Sequence, residues 1–434
     1  MRQVFLIAGV YTISTLQRKG SKLDMRTELA SFMQQHPQKE EAEAILRRCV
    51  HCGFCNATCP TYQLLGDEND GPRGRIYLIK QVLEGQPASK LTQQHLDRCL
   101  TCRSCESTCP SGVEYVKLLE IGRTVVDHQV GRSLGQKLMR RALQQILPRQ
   151  RLFQSLLQTG RRLRPILPAA LKHKVPLLAA ASAPSARPLS SPRQSMVLLT
   201  GCVQPALAPT TNPAAVKVLA ALGIELQTAA VMACCGAVGY HLDAKQQALQ
   251  QMKQNIDQGL AYLDQGATAI LISASGCGLH LKQYAEIFAT DPDYASKASR
   301  FSAAVRDLTE VLEPHTEQLR ALITSAGAPP LAWHSPCTLQ HGQKLAGRTE
   351  ALMRSLGIDI TTCQDAHLCC GSAGTYSILQ SALARQLRDD KLAKLERQPV
   401  QQILTANIGC QTHLQSGTAT PVSHWIDYLA QLLP

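Results

Sequence analysis

The chain has 434 residues, of which 44% are hydrophobic and 18% are charged. This composition is typical of a folded protein and excludes a largely disordered chain, and the length allows about two to four domains. Only 4% of the residues are aromatic, which argues against a single-stranded nucleic-acid platform built on base stacking.

The net charge of +13 is concentrated in one segment of the chain. Residues 128–195 contain 13 lysines and arginines and no aspartate or glutamate, whereas the remaining 32 basic residues are balanced by 32 acidic ones. Attraction to an acidic partner, an anionic membrane or nucleic acid is therefore a question about residues 128–195, and not about the whole chain.

Residues 1–44 are predicted to form an N-terminal extension followed by a lead-in helix. The apolar run at 4–10 is far shorter than the ~18 residues that a membrane-spanning helix needs. Arg18, Lys19 and Lys22 stand where a signal peptide would have its cleavage site, so we expect neither a signal peptide nor a transmembrane helix. Met25 is a candidate alternative start, which would leave residues 1–24 without a structural role.

Residues 45–127 carry one cysteine pattern twice. Each copy reads C-x2-C-x2-C-x3-C-P, at 49–60 and again at 99–110. Three thiolates on a tight turn, with two residues between one cysteine and the next, can each reach one iron of a single cube, while the fourth thiolate points away. In two-cluster ferredoxins the fourth cysteine binds the other cluster. We therefore expect two [4Fe–4S] clusters, the first on Cys49, Cys52, Cys55 and Cys109, the second on Cys59, Cys99, Cys102 and Cys105.

Two other interpretations of these eight cysteines are weaker. A disulfide framework would not place eight cysteines at two identical spacings. Zinc ribbons use pairs of C-x2-C and do not need the third and fourth cysteines or the trailing proline. Metal-binding thiolates also require a reducing compartment, which predicts a cytoplasmic protein.

The basic segment, 128–195, is amphipathic before it becomes rich in Pro, Ala and Ser. Leucines alternate with arginines up to about residue 164, and residues 176–195 are typical of a linker. The amphipathic part is either an interfacial membrane helix, a docking face for an acidic partner, or a solvated helix pair that bridges two domains.

The second half of the chain contains an internal duplication, over 196–325 and 326–434. In both copies 32 positions separate a first cysteine from a Cys-Cys-Gly, and the last cysteine follows the pair after 42 and 40 positions. Predicted strands alternate with helices, which indicates an α/β layer, and every motif cysteine follows a predicted strand. Ligands in such layers lie beyond the carboxyl ends of the strands.

Four thiolates in each copy are therefore expected to converge on a zinc or iron–sulfur centre. The candidates are Cys202, Cys234, Cys235 and Cys277 in the first copy, and Cys337, Cys369, Cys370 and Cys410 in the second. A vicinal disulfide and simple packing of buried thiols are the alternatives. Four histidines lie near these cysteines: His334, His341, His367 and His413. Either one of them is a metal ligand or proton donor, or they are structural residues that form hydrogen bonds beside the site.

Together these motifs resemble one family of iron–sulfur subunits. It includes those of anaerobic glycerol-3-phosphate dehydrogenase, heterodisulfide reductase, lactate-utilisation complexes and glycolate oxidase. Four segments are similar to the glycolate oxidase branch: 49–85, 95–115, 367–376 and 405–414. The resemblance implies an α+β multidomain fold, with an α-helical ferredoxin domain followed by a duplicated α/β cysteine-rich domain.

The resemblance also implies an activity and partners. Glycolate would be oxidised to glyoxylate on a flavin in separate FAD-containing subunits, because this chain has no Gly-x-Gly-x-x-Gly in a strand–helix context and no catalytic residue of its own. The chain would pass electrons to a quinone or another acceptor at the inner face of the cytoplasmic membrane. A subunit of a lactate or glycerol-3-phosphate dehydrogenase, or of a heterodisulfide reductase, is the alternative.

One departure concerns the last cysteine of each repeat. In heterodisulfide reductase the repeat ends in C-x2-C and holds a non-cubane cluster, whereas Cys277 and Cys410 each stand alone here. A nucleic-acid-binding iron–sulfur protein that uses the basic segment is a further hypothesis, although we expect no nucleic acid as partner.

Overall fold

A computed structural model describes residues 27–166, 192–229, 232, 234–323 and 329–434. A helical region is followed by two parallel sheets flanked by helices, which confirms the predicted α+β architecture with a duplicated α/β part. The proposed alternative start and most of the predicted linker at 176–195 lie outside the described residues.

The helical region is built around the helix Tyr115–Val130. It packs against Pro72–Leu83, Lys90–Asp97 and Lys39–Arg48, and its buried side chains join theirs in one apolar core. The helix Pro72–Leu83 starts at a proline, which has no amide hydrogen to leave unpaired at this position. Shorter helices complete the region: Ser31–Met33, Phe54–Asn56, Pro60–Leu65, Glu68–Asp70 and Ser104–Thr108.

The two repeats have the same four-stranded topology. In the first sheet the order is β2-β1-β3-β4, and in the second it is β6-β5-β7-β8, with all pairings parallel. The strands are β1 Gln194–Leu198, β2 Ile224–Thr228, β3 Ile270–Ile272, β4 Val305–Asp307, β5 Leu331–His334, β6 Ile360–Thr362, β7 Gln402–Thr405 and β8 Val422–His424. β4 and β8, the last strand of each sheet, were not predicted from the sequence.

Helices connect the strands and cover the sheets. In the first repeat they are Gln204–Leu207, Thr211–Ala221, Ala237–His241, Lys245–Asp264, Ser275–Lys282, Tyr284–Ile287, Ala295–Ala304, Leu308–Leu312, Glu313–His315 and Thr316–Leu322. In the second repeat they are Thr338–Gly342, Arg348–Ser355, Tyr376–Leu379, Ser381–Leu395, Ile408–Gln415 and Trp425–Gln431.

The repeats are joined through a shared core and through hydrogen bonds between their sheets. Buried side chains of both repeats, Leu219 of the first and Trp333 of the second among them, belong to a single apolar cluster. The amide of Ser275 donates to the carbonyl of Ala406 at 3.1 Å, and Nε2 of His424 lies 2.9 Å from the carbonyl of Ser273. The two sheets therefore hold their cysteine-bearing edges in a fixed relation.

The basic segment forms two helices, Leu134–Ile146 and Gln150–Leu163, followed by the short helix Arg164–Ile166. Leu143 is the single buried residue of the first helix, and the second helix buries none. Leu138, Leu152 and Leu156 are exposed, so an apolar stripe faces outward beside the arginines. No helix in the described part of the chain is long and apolar enough to cross a membrane.

Candidate iron–sulfur and metal centres

Each ferredoxin motif is folded by two residues in the left-handed backbone region. These are His51 and Gly53 in the first motif, with φ of 53° and 86°, and Thr101 and Arg103 in the second, with φ of 52° and 62°. The two pairs occupy equivalent positions, two and four residues after the first cysteine. This conformation is costly for residues other than glycine, so the repetition indicates a turn that the motif requires.

The two motifs form two cysteine-lined cavities. One is lined by Cys49, Cys52, Cys55 and Cys109. The other is lined by Cys59, Cys99, Cys102 and Cys105. Cys105 borders both cavities, which places them next to each other. The structure thus brings together the two sets of four thiols expected from the sequence, and ligation itself stays a prediction.

The spacing of these thiols fits a cube better than a single ion. Four sulfurs around one zinc ion, at about 2.3 Å each, would lie ~3.8 Å apart. Among the described residues, no three of the eight thiols lie within 4.8 Å of one another. Burial raises the pKa of Cys55 to about 11 and raises those of Cys102 and Cys105 well above their usual value, so the thiolates need a cation to stabilise them. The cavities therefore fit two [4Fe–4S] clusters.

A buried arginine lies beside the second cavity. Arg75 is 1% exposed, and its Nη1 is 4.0 Å from the sulfur of Cys59 and 3.1 Å from the hydroxyl of Thr61. Its Nη2 lies 3.4 Å from a carboxylate oxygen of the fully buried Asp70, which Arg98 also contacts at 2.8 Å. Burial disfavours the charge on Arg75, but the neighbouring Cys99, Tyr115, Cys59 and Asp70 raise its pKa overall, so the guanidinium stays charged.

The first cavity has a different arginine. Arg73 lines it and forms a 2.6 Å ion pair with Glu68, and both side chains are substantially exposed. Sequence reasoning missed Arg73 and Arg75, because arginines two residues apart do not reveal which one is buried. The structure therefore gives the second cavity a desolvated positive charge and the first a solvated one.

The four motif cysteines of the first repeat are connected side by side. Cys202 contacts Cys234, Cys234 contacts Cys235, and Cys235 contacts Cys277. Hydrogen bonds from Cys202 and Cys235 hold the pKa of Cys234 well below its usual value. The hydroxyl of Tyr284 donates to the carbonyl of Cys235 at 2.6 Å and fixes the vicinal pair. All 17 cysteines are free thiols, so neither repeat contains a vicinal disulfide.

The second repeat places its thiols beside the second ferredoxin cavity. The sulfurs of Cys337 and Cys369 lie 3.9 Å apart. Burial, followed by the neighbouring thiols of Cys337 and Cys59, raises the pKa of Cys102 well above its usual value. Leu100 and Tyr376 pack in the same apolar cluster as Cys102, Cys337 and Cys369. The second repeat therefore packs against the second ferredoxin motif at Leu100 and Cys102.

The four histidines have distinct surroundings. His341 bridges the regions, with Nδ1 3.0 Å from the hydroxyl of Ser107 and Nε2 2.9 Å from the carbonyl of His367. Nε2 of His413 lies 3.0 Å from the carbonyl of Ala384. Nδ1 of His334 lies 3.0 Å from the hydroxyl of Thr405, and burial lowers the pKa of His334 to about 3, which keeps the ring neutral.

Cys363, the one cysteine outside the motifs, packs against the apolar cluster that contains Cys370 and Cys410, but it belongs to no compact group of metal-binding donors among the described residues. Its sulfur is 4.0 Å from the amino group of the buried Lys391. We assign it no place in a metal centre.

Comparisons with known families agree with this arrangement. Residues 45–113 match the 4Fe-4S dicluster domain, which carries two [4Fe–4S] clusters. Residues 196–282 and 331–415 each match the cysteine-rich domain, so the duplication is confirmed.

Curated relatives cover nearly the whole chain. The glycolate oxidase iron–sulfur subunit of Escherichia coli is 50% identical over 409 residues, which is 94% of this chain and 99% of that one. The probable glycolate oxidase iron–sulfur subunit of Bacillus subtilis is 30% identical over 91% of this chain and 94% of its own. Lactate utilization protein A of Geobacillus thermodenitrificans is 30% identical over 45% of this chain. The chain therefore belongs to the family of glycolate oxidase iron–sulfur subunits.

Proposed function

We propose that this chain is the electron-transfer subunit of a glycolate oxidase complex. It would receive electrons from FAD-containing subunits that oxidise glycolate to glyoxylate, and deliver them to a quinone or another acceptor. The observation that carries the proposal is the pair of adjoining four-thiol cavities in a chain that aligns with 99% of a glycolate oxidase iron–sulfur subunit.

Each cluster would be held by the first three cysteines of one motif and the fourth cysteine of the other motif. Cys49, Cys52, Cys55 and Cys109 would hold one cluster, and Cys59, Cys99, Cys102 and Cys105 the other. The clusters would supply one-electron transfer. The chain itself supplies the turns that aim the thiols, the buried charge of Arg75 at the second site and the packing of the second repeat against Leu100 and Cys102.

The surface around the first cavity is the proposed docking site of the flavin subunit. Cys52 is exposed there, and so are three large apolar side chains, Val50, Phe54 and Tyr77. Phe54 is 63% exposed although it lies between two motif cysteines, and Tyr77 stacks edge-on against His51. Exposed apolar groups at a redox site are typical of a protein interface. The second cavity lies on the side of the second repeat, and we propose that electrons leave the chain toward their acceptor on this side.

Replacing Phe54 with aspartate tests this docking site. We expect the variant to keep its iron but to retain less than roughly a tenth of the flavin subunits, since a central aromatic residue often contributes 2 kcal/mol or more to an interface. The measurements are co-purification with the tagged chain and glycolate-dependent reduction of a dye. Leu91→Asp is the control, because Leu91 is equally exposed on the helix Lys90–Asp97. Normal co-purification by Phe54→Asp would reject this surface.

The proposed function as a whole has a separate test. The tagged wild-type chain should co-purify flavin subunits, and the complex should reduce a dye with glycolate. Reduction of the dye with lactate or glycerol 3-phosphate, and not with glycolate, would favour the alternative branches of the family.

The basic helices are the proposed contact with the membrane surface. Leu152, Leu156 and Leu163 are exposed on the helix Gln150–Leu163, where Arg151 and Arg162 flank them. An apolar stripe between cations fits an interface of anionic lipid headgroups.

Reversing two of these charges, with Arg151→Glu and Arg162→Glu together, should weaken binding to phosphatidylglycerol vesicles roughly tenfold or more, because each basic residue near such a surface contributes about 1 kcal/mol. Vesicle sedimentation measures this, with Arg385→Glu on the exposed face of Ser381–Leu395 as control. Equal sedimentation of both variants would contradict the proposal, and a salt-sensitive shift of a random DNA duplex would favour nucleic acid instead.

For the repeats we propose metal binding by the two sets of four thiols. They are Cys202, Cys234, Cys235 and Cys277, and Cys337, Cys369, Cys370 and Cys410. The contacts between consecutive thiols in each set support this proposal, as does the absence of disulfides among them.

A further inference from the structure

Two buried tyrosine hydroxyls near the second ferredoxin cavity have no hydrogen-bond partner. Tyr115 is 3% exposed and Tyr376 is 7% exposed, and the hydroxyl oxygen of each is buried without a partner among the described residues. Buried hydroxyls in folded proteins are nearly always hydrogen-bonded, because leaving one unpaired costs free energy. Each hydroxyl therefore indicates a partner that the described polypeptide does not supply by itself.

Tyr115 is the first residue of the helix Tyr115–Val130, and it lines both ferredoxin cavities. Its ring belongs to the apolar cluster against which Cys99 packs. Burial raises the pKa of the Tyr115 phenol, and the thiol of Cys99 has the next largest effect, in the same direction. The hydroxyl therefore lies on the side of Cys99, although the two groups are not in hydrogen-bond geometry.

Tyr376 approaches the same cysteine from the second repeat. It begins the short helix Tyr376–Leu379 and belongs to the apolar cluster that contains Leu100 and Cys102 of the second ferredoxin motif. Burial raises the pKa of the Tyr376 phenol, and Cys99 again has the next largest effect, ahead of Cys369 in the repeat itself. The second repeat thus places a hydroxyl at its boundary with the ferredoxin region, on the side of the second cavity.

The sulfur of Cys99 is the acceptor that these two hydroxyls share. It already accepts the backbone amide of Thr101 at 3.4 Å, and Arg75 and Tyr115 line the same cavity. A neutral thiol is a weak acceptor, whereas a hydrogen bond to an ionised sulfur is stronger. A cluster ligated by Cys99 would therefore give both hydroxyls the acceptor that they lack in the chain alone.

We propose that Tyr115 and Tyr376 donate hydrogen bonds to the second [4Fe–4S] cluster at Cys99 and so raise its reduction potential. Hydrogen bonds to the sulfurs favour the reduced cluster, because it carries the more negative charge. The proposal rests on the proposed electron-transfer function, which places a cluster on Cys99. It adds that the second repeat contributes a positioning residue to a ferredoxin cluster, so the potential of that cluster depends on how the repeat docks.

The variants Tyr115→Phe and Tyr376→Phe each remove one oxygen and keep the aromatic ring. At a fixed ambient potential, each should lower the ratio of reduced to oxidised second cluster roughly three- to tenfold, which is the range expected for one hydrogen bond. This equals a shift of about 30–60 mV to lower potential for a one-electron couple. A redox titration of the full chain, purified without oxygen and followed by paramagnetic resonance, measures the shift. One cluster should move and the other should not.

The matched control is Tyr428→Phe. Tyr428 is 6% exposed on the helix Trp425–Gln431 and packs in an apolar cluster that contains no cysteine. It should leave both potentials unchanged. All three variants should keep about eight iron atoms, which shows that they are folded and loaded. Variants of Tyr115 and Tyr376 that keep their iron and shift neither cluster would overturn the proposal.

A second measurement keeps the wild-type sequence. The phenol of 3-fluorotyrosine is more acidic and is a stronger hydrogen-bond donor, so its incorporation in place of tyrosine should shift the same cluster to higher potential. The shift should vanish when Tyr115→Phe and Tyr376→Phe are combined, and its persistence there would contradict the assignment. Absence of iron from the wild-type chain would overturn the electron-transfer function and this proposal together. Eight iron atoms with unmoved potentials would overturn this proposal alone.

Discussion

Replacing Cys109 with serine is expected to remove the cluster of the first motif, although Cys109 belongs to the second motif in sequence. Cys109 lines the cavity of Cys49, Cys52 and Cys55, whereas Cys59 lines the other. Iron should fall from about eight to about four atoms per chain, because one cube lacks its fourth thiolate. Iron analysis and paramagnetic resonance of the reduced protein measure the loss.

Double variants decide which cluster is lost. Cys109→Ser combined with Cys52→Ser should retain the same four iron atoms as either single variant, since both residues would serve one cube. Cys109→Ser combined with Cys102→Ser should lose nearly all iron. As in a double-mutant cycle, the losses of iron add when the two cysteines serve different clusters and do not add when they serve the same one. Cys363→Ser is the control and should keep all its iron. The reverse pattern would mean that each motif holds its own cluster without crossing.

Replacing Arg75 with methionine is expected to destabilise the ferredoxin region and to lower the reduction potential of the second cluster. The substitution leaves Asp70 buried with one fewer cationic partner, and breaking a buried pair in this way costs about 3–5 kcal/mol. It also removes a desolvated positive charge beside Cys59, and a nearby cation favours the reduced, more negative cluster. Urea unfolding and a redox titration followed by paramagnetic resonance measure the two effects.

The two effects of Arg75 can be separated. Adding Asp70→Asn to Arg75→Met should recover much of the stability, because the buried carboxylate that lost one of its cationic partners is then replaced by a neutral amide, but the potential should stay low. Arg73→Met is the matched control at the first cavity, where the ion pair is exposed and contributes little. An unchanged potential of the second cluster in Arg75→Met would contradict the electrostatic role and leave Arg75 a structural residue only.

The sequence predicted those parts of the centres whose geometry depends on local spacing. Two identical cysteine runs and the 32-residue interval in each repeat indicated both sets of ferredoxin cysteines and both vicinal pairs. The predicted alternation of strands with helices in the repeats is confirmed, because short strands such as β2 and β5 directly follow a glycine or a proline.

What the sequence could not reveal depends on contacts between distant segments. β4 and β8 have three residues each and alternate in polarity too briefly to produce a pattern. Arg75 is distinguished from Arg73 only by the packing of the helix that carries both. His334 joins Cys370 and Cys410 because three strands from different parts of the chain are adjacent, and one histidine near a cysteine motif does not predict that.

The unequal exposure of the two ferredoxin cavities has a consequence for the protein in air. Cys52 is exposed at the first cavity, whereas Cys102 is partly buried and packs against Cys369 and Tyr376 of the second repeat. Dioxygen and peroxide would therefore meet the outer set of thiols first, and the inner set would be sheltered by the rest of the chain. Binding of a partner over Phe54 would close that remaining opening, so assembly would also act as protection against oxidative damage.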